Sequence, residues 1–143
     1  MRARWSSAKL EMCVATGRDV RCLIVDDSAD FRDAASAMLQ RAGISVVGVA
    51  SNSVEALRCY EDMHPNVALV DVDLGTEDGF ELAELLDQAS TGSSLAVILV
   101  STYAEADLAD MIATSSAVGF LPKFALTPDA ILDLLDISGT PGR

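Results

Sequence analysis

The chain has 143 residues, half of them hydrophobic, and a formal net charge of −12 from 10 Lys and Arg against 22 Asp and Glu. This length is sufficient for one domain with a buried core, and the apolar content excludes a disordered chain. The negative charge repels nucleic-acid phosphates, so we expect no direct nucleic-acid binding by this domain.

No apolar run reaches the roughly 18 residues that span a bilayer, so no membrane association is expected. The start of the chain also lacks the apolar segment of a signal peptide. The three cysteines, Cys13, Cys22 and Cys59, are odd in number and show no metal-ligand spacing. They are predicted to be free thiols in a reducing cytoplasm.

Residues 1–19 lack sustained periodicity and predict a flexible extension before a domain at 20–137 and a tail at 138–143. Five short apolar segments predict strands at 20–25, 44–49, 67–71, 95–100 and 118–121. Helical patterns follow them at about 29–41, 53–63, 80–88, 104–114 and 128–136. Strands that alternate with helices predict an α/β fold, a parallel sheet with helices on both faces.

Local signals place the helix ends. Ser28, Asn52 or Ser53, and Thr127 are predicted N-caps, and Gly43 is a predicted C′ residue of the first helix. In the second helix, Val54, Leu57 and Met63 are expected to face inward. The segment 104–114 has little apolar content and predicts a weaker helix.

Polar side chains stand where the predicted strands end. The first strand ends in Asp26 and Asp27, the third in Asp71, the fourth in Ser101 and the fifth in Lys123. Each one alone is also explained by a turn, a helix cap or a solvated charge. Parallel strands bring their carboxyl ends to one edge, however, so we expect these five side chains to share a crevice.

The chemistry of this set indicates a phosphoryl site. Clustered carboxylates need a cation, and an all-oxygen ligand set favours Mg²⁺ before Ca²⁺. A lysine and a hydroxyl suit phosphoryl oxygens, and a carboxylate can itself become an aspartyl phosphate. Asp71, central among the strands, is the candidate nucleophile. The single histidine, His64, is predicted to end a helix rather than to bind metal.

Four motifs carry a resemblance to a known family: LIVDDS at 23–28, ALVDVDLGTEDGFEL at 68–82, ILVST at 98–102 and GFLPK at 119–123. They resemble the receiver domain of two-component response regulators, and the resemblance covers about residues 20–137. It implies a flavodoxin-like, doubly wound, five-stranded parallel sheet in the order 2-1-3-4-5, with five helices.

The resemblance also implies the roles of the site residues. Asp71 would accept a phosphoryl group from the phosphohistidine of a sensor histidine kinase. Asp27, Asp71 and the backbone carbonyl of Asp73 would bind Mg²⁺, with Asp26 assisting through water. Ser101 and Lys123 would hold the phosphoryl oxygens.

A switch is implied as well. Phosphorylation would draw Ser101 toward the new oxygens, and Phe120 would turn inward. The responding face would be helix 4, strand 5 and helix 5, about residues 104–137, which would control an output domain or a downstream protein. The same face is a candidate homodimer surface. GFLPK looks most like the subgroup with helix-turn-helix output domains, so transcription regulation is expected. A stand-alone receiver and a piece of a longer regulator both stay open.

The chain departs from the family pattern in a few places. Gly75 stands where the family often has proline, which predicts a looser loop after Asp71. Phe124 follows Lys123 where many members have proline. Phe120 lacks the hydroxyl of a tyrosine, and Thr102 is bulkier than the usual residue after Ser101.

Parts of the sequence are also compatible with two other functions. The segment 70–76 resembles the nucleophile motif of haloacid dehalogenase-like phosphatases, but their nucleophile strand normally comes first. Here an acidic pair lies upstream, and no acidic residue ends a strand after Lys123. A pure interaction module with a degenerate site is disfavoured by the complete set of acidic, hydroxyl and amine side chains. We therefore expect a signalling domain and not an enzyme.

Overall fold

The structure is a computed structural model that describes residues 20–90 and 95–139. The predicted extension at 1–19 and the end of the tail, 140–143, lie outside the described residues. The proposed domain boundaries therefore stay predictions.

Among the described residues, five parallel strands form one sheet. Their bounds are β1 (Arg21–Val25), β2 (Ser45–Ala50), β3 (Val67–Asp71), β4 (Ala96–Ser101) and β5 (Gly119–Pro122). The order across the sheet is β2-β1-β3-β4-β5, and every neighbouring pair is parallel. This confirms the predicted flavodoxin-like fold class and strand order.

In the part of the chain that the structure describes, five helices connect and follow the strands: α1 (Ala29–Arg41), α2 (Ser53–Met63), α3 (Gly79–Ala89), α4 (Ala109–Ala113) and α5 (Pro128–Gly139). The predicted fourth helix is divided, because a 3₁₀ turn, Glu105–Leu108, precedes the short α4. In this segment Leu108 and Ile112 pack against the core, so few apolar contacts hold it. In the described part of the chain, no helix is long and apolar enough to cross a membrane.

The helix ends follow the local signals. Ser28, Asn52 and Thr127 each accept a hydrogen bond from the backbone N–H three residues later, at distances of 2.9 to 3.2 Å. Gly43 has a φ of +87°, the left-handed conformation that a C′ glycine adopts at low cost. His64 ends α2, as predicted for this histidine.

Alternate residues of the strands face opposite layers. On one face Leu23, Val70 and Leu99 pack with α2 and α3, while on the other Ile24 and Leu69 pack with α1 and α5. The central strand β3 is buried along its whole length, which explains its unbroken apolar sequence. Burying apolar side chains at about 25 cal/mol per Å² on both faces is the main stabilisation of such a sheet.

The cysteines that the structure describes are free. Cys22 is buried in β1, and Cys59 is partly buried in α2. Burial raises the pKa of Cys22 to about 12, so its thiol stays neutral and unreactive at physiological pH.

Two side chains of α2 differ from the prediction. Val54 and Met63 were expected to face inward, but they are 60% and 40% exposed. The buried stripe of the helix runs instead through Ala56 and Tyr60, with Leu57 partly buried beside them. Because α2 covers the edge of the sheet and not its centre, residues at its two ends extend past the core.

Candidate functional site

The register of the sheet brings the predicted side chains to one edge. Val25 pairs with Val70, so Asp26 and Asp71 leave neighbouring strands at the same level. Asp71 pairs with Val100, the residue before Ser101, and Ser101 in turn pairs with Pro122, the residue before Lys123.

Three carboxylates form a cluster at this edge. One oxygen from each of Asp26, Asp27 and Asp71 can be chosen so that all three lie within 4.8 Å of one another. Asp26 is fully buried and Asp71 nearly so, whereas Asp27 is exposed. The cluster is therefore open to solvent on the Asp27 side, where an ion or a small phosphoryl donor has access.

Lys123 reaches into the same cluster from the end of β5. Its Nζ lies 2.6 Å from Asp26 Oδ2 and 3.3 Å from Asp71 Oδ2. The ammonium also lies 4.4 Å from the centroid of the Phe31 ring on α1. A cation over an aromatic face is attracted by the ring quadrupole, so Phe31 helps to direct the lysine inward.

The buried Asp26 is held by its neighbours. Its Oδ1 accepts a hydrogen bond from the Ser28 N–H at 2.8 Å, and its backbone carbonyl accepts one from Arg32 Nη1 at 2.6 Å. Its Oδ2 contacts Lys123 as an ion pair but receives no well-directed hydrogen bond among the described residues. A buried carboxylate oxygen with such incomplete pairing is a suitable ligand for a cation or for its bound water.

Burial raises the pKa of Asp71 to about 6. The negative charge of Asp26 acts in the same direction, while the Asp73 N–H and the Lys123 ammonium oppose it. For Lys123, burial alone lowers the pKa, but contact with Asp26 and the charges of both carboxylates outweigh burial and raise it. Lys123 is therefore positively charged across the physiological pH range. Asp71, with its raised pKa, ionises close to that pH range.

In the metal-free protein, replacing Asp71 by asparagine should increase stability above about pH 6. The folded pKa of Asp71 lies above the ordinary value of 3.8, so the folded state binds more protons than the unfolded chain between these pH values. The contribution of Asp71 to the free energy of unfolding therefore falls as the pH rises from about 4 to about 6. Above about pH 6 the full cost of holding the ionised carboxylate in the folded protein is present.

The expected gain for Asp71→Asn is on the order of 1–3 kcal/mol at about pH 7.5, and it should shrink toward about pH 4. Urea unfolding in the presence of a chelator measures it at both pH values. A gain of equal size at both pH values would show that ionisation of Asp71 is not its cause.

The loop between β3 and α3 is built by hydrogen bonds. The Asp73 N–H donates to Asp71 Oδ1 at 3.2 Å, and the Gly75 N–H donates to Asp73 Oδ1 at 3.1 Å. Gly75 has a φ of +80°, and a Cβ there would lie 3.2 Å from Asp27 Oδ2. Glycine is thus required by conformation, and proline is incompatible with this φ. The expectation of a looser loop is not supported by these contacts.

Ser101 and Phe120, the two predicted switch residues, are both buried. Ser101 is buried, and its Oγ accepts a hydrogen bond from the Tyr103 N–H at 2.9 Å. Its hydroxyl hydrogen remains available as a donor. Phe120 is buried within the core on the α2–α3 side of the sheet, so it is already in an inward position.

A family model for the response regulator receiver domain matches residues 22–136, four-fifths of the chain. The chain belongs to this family. Solved receiver domains share its fold: the signal receiver domain of NarL from Mycobacterium tuberculosis has a TM-score of 0.72 at 28% identity, with 82% of this chain and 96% of that chain covered.

Two further matches bear on this receiver domain. A response regulator from Burkholderia pseudomallei, whose structure contains a phosphorylated aspartic acid, a calcium ion and citrate, has a TM-score of 0.71 at 26% identity, covering 82% of this chain and 66% of that one. The protein-glutamate methylesterase/protein-glutamine glutaminase of Lawsonia intracellularis is 33% identical over 82% of this chain. The receiver domain spans only 33% of that relative's length.

Three supporting residues of the receiver site were missed from sequence. From the sequence, no site role is predicted for Phe31, Arg32 or Glu77. Phe31 contacts Lys123, Arg32 binds the Asp26 carbonyl, and Glu77 binds Ser53 across 24 residues. The sequence offered only their proximity to Asp26, Asp27 and Asp78; the partners of Phe31 and Glu77 are distant along the chain, and the Arg32 contact depends on how the chain turns between β1 and α1.

Proposed function

We propose that Asp71 accepts a phosphoryl group from a histidine kinase in a Mg²⁺-dependent reaction. The observation that carries this proposal is the position of Asp71 within one cluster with Asp26, Asp27 and Lys123. Two carboxylates and one ammonium beside a third carboxylate supply the charges that a cation and a phosphoryl group both need.

The transfer is a displacement at phosphorus. An oxygen of ionised Asp71 forms the new P–O bond, and the P–N bond to the donor histidine breaks. The departing imidazole nitrogen keeps the bonding electrons and takes up a proton from solvent. Lys123, already 3.3 Å from Asp71 Oδ2, neutralises negative charge on the transferred oxygens. The buried Ser101 hydroxyl donates to one of them.

Mg²⁺ is the cofactor that the donor set favours. Asp27 and Asp71, with the Asp73 carbonyl, would hold the ion, and Asp26 would bind its water. When bound, the ion would offset the repulsion among the carboxylates and polarise phosphoryl oxygens. The relative from Burkholderia pseudomallei, with its phosphorylated aspartic acid and calcium ion, supports the same combination of groups.

Replacing Asp27 by alanine should weaken Mg²⁺ binding at least about tenfold and slow Mg²⁺-dependent labelling, because one carboxylate ligand is lost. Asp27 is exposed, so the fold should tolerate the change. Isothermal titration calorimetry with Mg²⁺ measures the affinity.

The matched control is Asp30→Ala, because Asp30 is also an exposed acid at the start of α1 but lies outside the carboxylate cluster. Its Mg²⁺ affinity should stay close to that of the unmodified protein. Equal affinities for both variants would remove Asp27 from the metal site.

The output is proposed to pass through α4, β5 and α5. Among residues 104–135 of this face and the 3₁₀ turn, the exposed charged side chains are all acidic: Glu105, Asp107, Asp110, Asp129 and Asp133. Lys123, the single cation of residues 104–135, is turned into the site. A symmetric dimer would place like charges opposite one another, so a partner with a basic surface fits this face better than a second copy.

The proposal defines that partner only by its chemistry, a basic surface. The whole-protein activity of the methylesterase relative belongs to that protein, of which the receiver spans a third. A helix-turn-helix output domain, transcription regulation and a cytoplasmic location stay predictions. The domain is proposed to label itself and not to turn over an external substrate.

A further inference from the structure

A second carboxylate contact links the β3–α3 loop to a neighbouring helix. Glu77 lies in this loop, four residues after Asp73. Its Oε1 accepts a hydrogen bond from the Ser53 N–H at 2.7 Å, and its Oε2 accepts one from the Ser53 hydroxyl at 3.2 Å. Ser53 is the first residue of α2, so the negative carboxylate also meets the positive end of that helix.

The start of α2 also has a cap that is local in sequence. The Asn52 side chain accepts from the Glu55 N–H at 2.9 Å, and Glu55 accepts from the Ser51 N–H at 2.8 Å. The Asn52 bond is the usual local N-cap, and the Ser53 N–H is the donor of this first turn that Glu77 accepts. Glu77 adds an acceptor from another part of the chain, which points to a role in holding its own loop.

The held loop carries the metal-site groups. Leu74 is buried in the core, and its N–H donates to the Glu77 carbonyl at 3.1 Å. Between Asp71 and Glu77 lie Asp73, whose carbonyl is a proposed ligand, and Gly75, which passes close to the Asp27 carboxylate. Core packing at Leu74 and the Glu77–Ser53 bonds therefore fix the loop on both sides of Gly75.

We propose that Glu77 is a positioning residue for the divalent cation, which it serves by fastening the β3–α3 loop to the first turn of α2. The proposal rests on the Mg²⁺ site proposed above. Glycine at position 75 adapts to the positive φ but contributes no side-chain contact of its own, and the Glu77 carboxylate adds a contact that ties the loop to α2.

Three substitutions separate the hydrogen bonds from the charge. Glu77→Ala removes both. Glu77→Gln removes the charge, but its amide can accept from the Ser53 N–H and donate to the hydroxyl. Ser53→Pro keeps the charge and removes both donors, and proline is well tolerated at the first position of a helix.

The expected result is that Glu77→Ala and Ser53→Pro raise the Mg²⁺ dissociation constant about three- to tenfold. This is less than the usual effect of losing a residue that hydrogen-bonds directly to a metal ligand. Glu77→Gln should stay within about twofold, since it can keep both hydrogen bonds and loses only the charge of a partly buried side chain, which solvent and salt still partly screen. The double variant Glu77→Ala with Ser53→Pro should be no weaker than either single variant, because both remove one interaction.

The chain offers a matched control in Glu84→Ala. Glu84 on α3 accepts from the N–H and the hydroxyl of Ser116, both at 2.7 Å, so its chemistry is the same but its partners lie in the α4–β5 connection. Its loss should lower thermal stability without changing Mg²⁺ affinity. Titration calorimetry with Mg²⁺ alone and metal-free thermal unfolding are measured for all variants.

The outcomes separate the two proposals. An unmodified protein that does not bind Mg²⁺ overturns the metal site and this inference together. If the unmodified protein binds Mg²⁺, and Glu77→Ala and Ser53→Pro bind it with the same affinity as the unmodified protein, the metal site stands and the positioning role of Glu77 is wrong. Equal losses for Glu77→Ala and Glu77→Gln, with Ser53→Pro unchanged, would assign the effect to charge alone and also overturn the inference.

Discussion

The Asp71→Asn variant should incorporate no phosphoryl group from acetyl phosphate or from a phosphohistidine donor. Asparagine has nearly the same size as aspartate, so it should fit the nearly buried position at the end of β3. It lacks the anionic oxygen that attacks phosphorus, and a neutral amide is a far weaker nucleophile. The variant should remain folded, which the pH-dependent gain in stability described above would itself demonstrate.

Labelling is measured as base-labile phosphate per chain, as expected of an acyl phosphate, or by intact mass. The matched control is Asp73→Asn, because Asp73 lies two residues away, is exposed, and is proposed to act through its backbone carbonyl. It should retain labelling at up to one phosphoryl group per chain. Stoichiometric labelling of Asp71→Asn would place the acceptor at another residue.

Phosphate release from a small phosphomonoester distinguishes the receiver from a phosphatase. The segment 70–76 resembles the motif of haloacid dehalogenase-like phosphatases, whose members hydrolyse their substrates catalytically. With a small phosphomonoester, the receiver should release no more phosphate than one equivalent per chain. Many turnovers that depend on Asp71 would favour the phosphatase reading instead.

The Gly79→Ala substitution should destabilise the protein by about 3 kcal/mol or more, at the upper end of overpacking effects. Gly79 begins α3, and a Cβ there would run into the Asp71 carbonyl oxygen and lie 2.7 Å from the Val72 Cα. Both neighbours are backbone atoms of the segment that presents the phosphoacceptor, so neither can rotate away. The Gly79 N–H also donates to the Val72 carbonyl at 2.9 Å, which fixes the approach.

The control for this prediction is Gly119→Ala in β5. A Cβ there would lie 2.7 Å from Leu134 Cδ2, the far end of a flexible side chain that can change rotamer. Its cost should be below about 1 kcal/mol, because reduced freedom of the unfolded chain offsets part of the strain. Urea unfolding of both variants gives the comparison. Equal, small costs would show that α3 can move away from β3 without difficulty.

Local patterns were sufficient for most of the fold. Continuous apolar runs such as 67–71 are typical of strands buried on both faces, and the cap residues Ser28 and Thr127 act within three residues of their own position. Such features depend on neighbours along the chain. Val54 and Met63 were assigned wrongly because helical spacing identifies a stripe but not where the covered sheet ends.

The candidate site was predictable in composition but not in its contacts. The residue types at the strand ends, and their match to a known family, indicated Asp26, Asp27, Asp71, Ser101 and Lys123 from sequence. The inward position of Phe120, and the left-handed φ that requires glycine at position 75, appeared only in the folded structure. Exposure and backbone conformation at these places are set by packing across the sheet, which no local pattern records.

The sequence by itself determined which chemical groups this receiver domain carries and that parallel strands would deliver them to one edge. Tertiary structure decided that Lys123 lies between Asp26 and Asp71, that burial raises the pKa of Asp71 to about 6, and that Glu77 meets Ser53. The physical reason is distance along the chain. Lys123 and Asp71 are 52 residues apart, and their contact exists only after the intervening strands have paired.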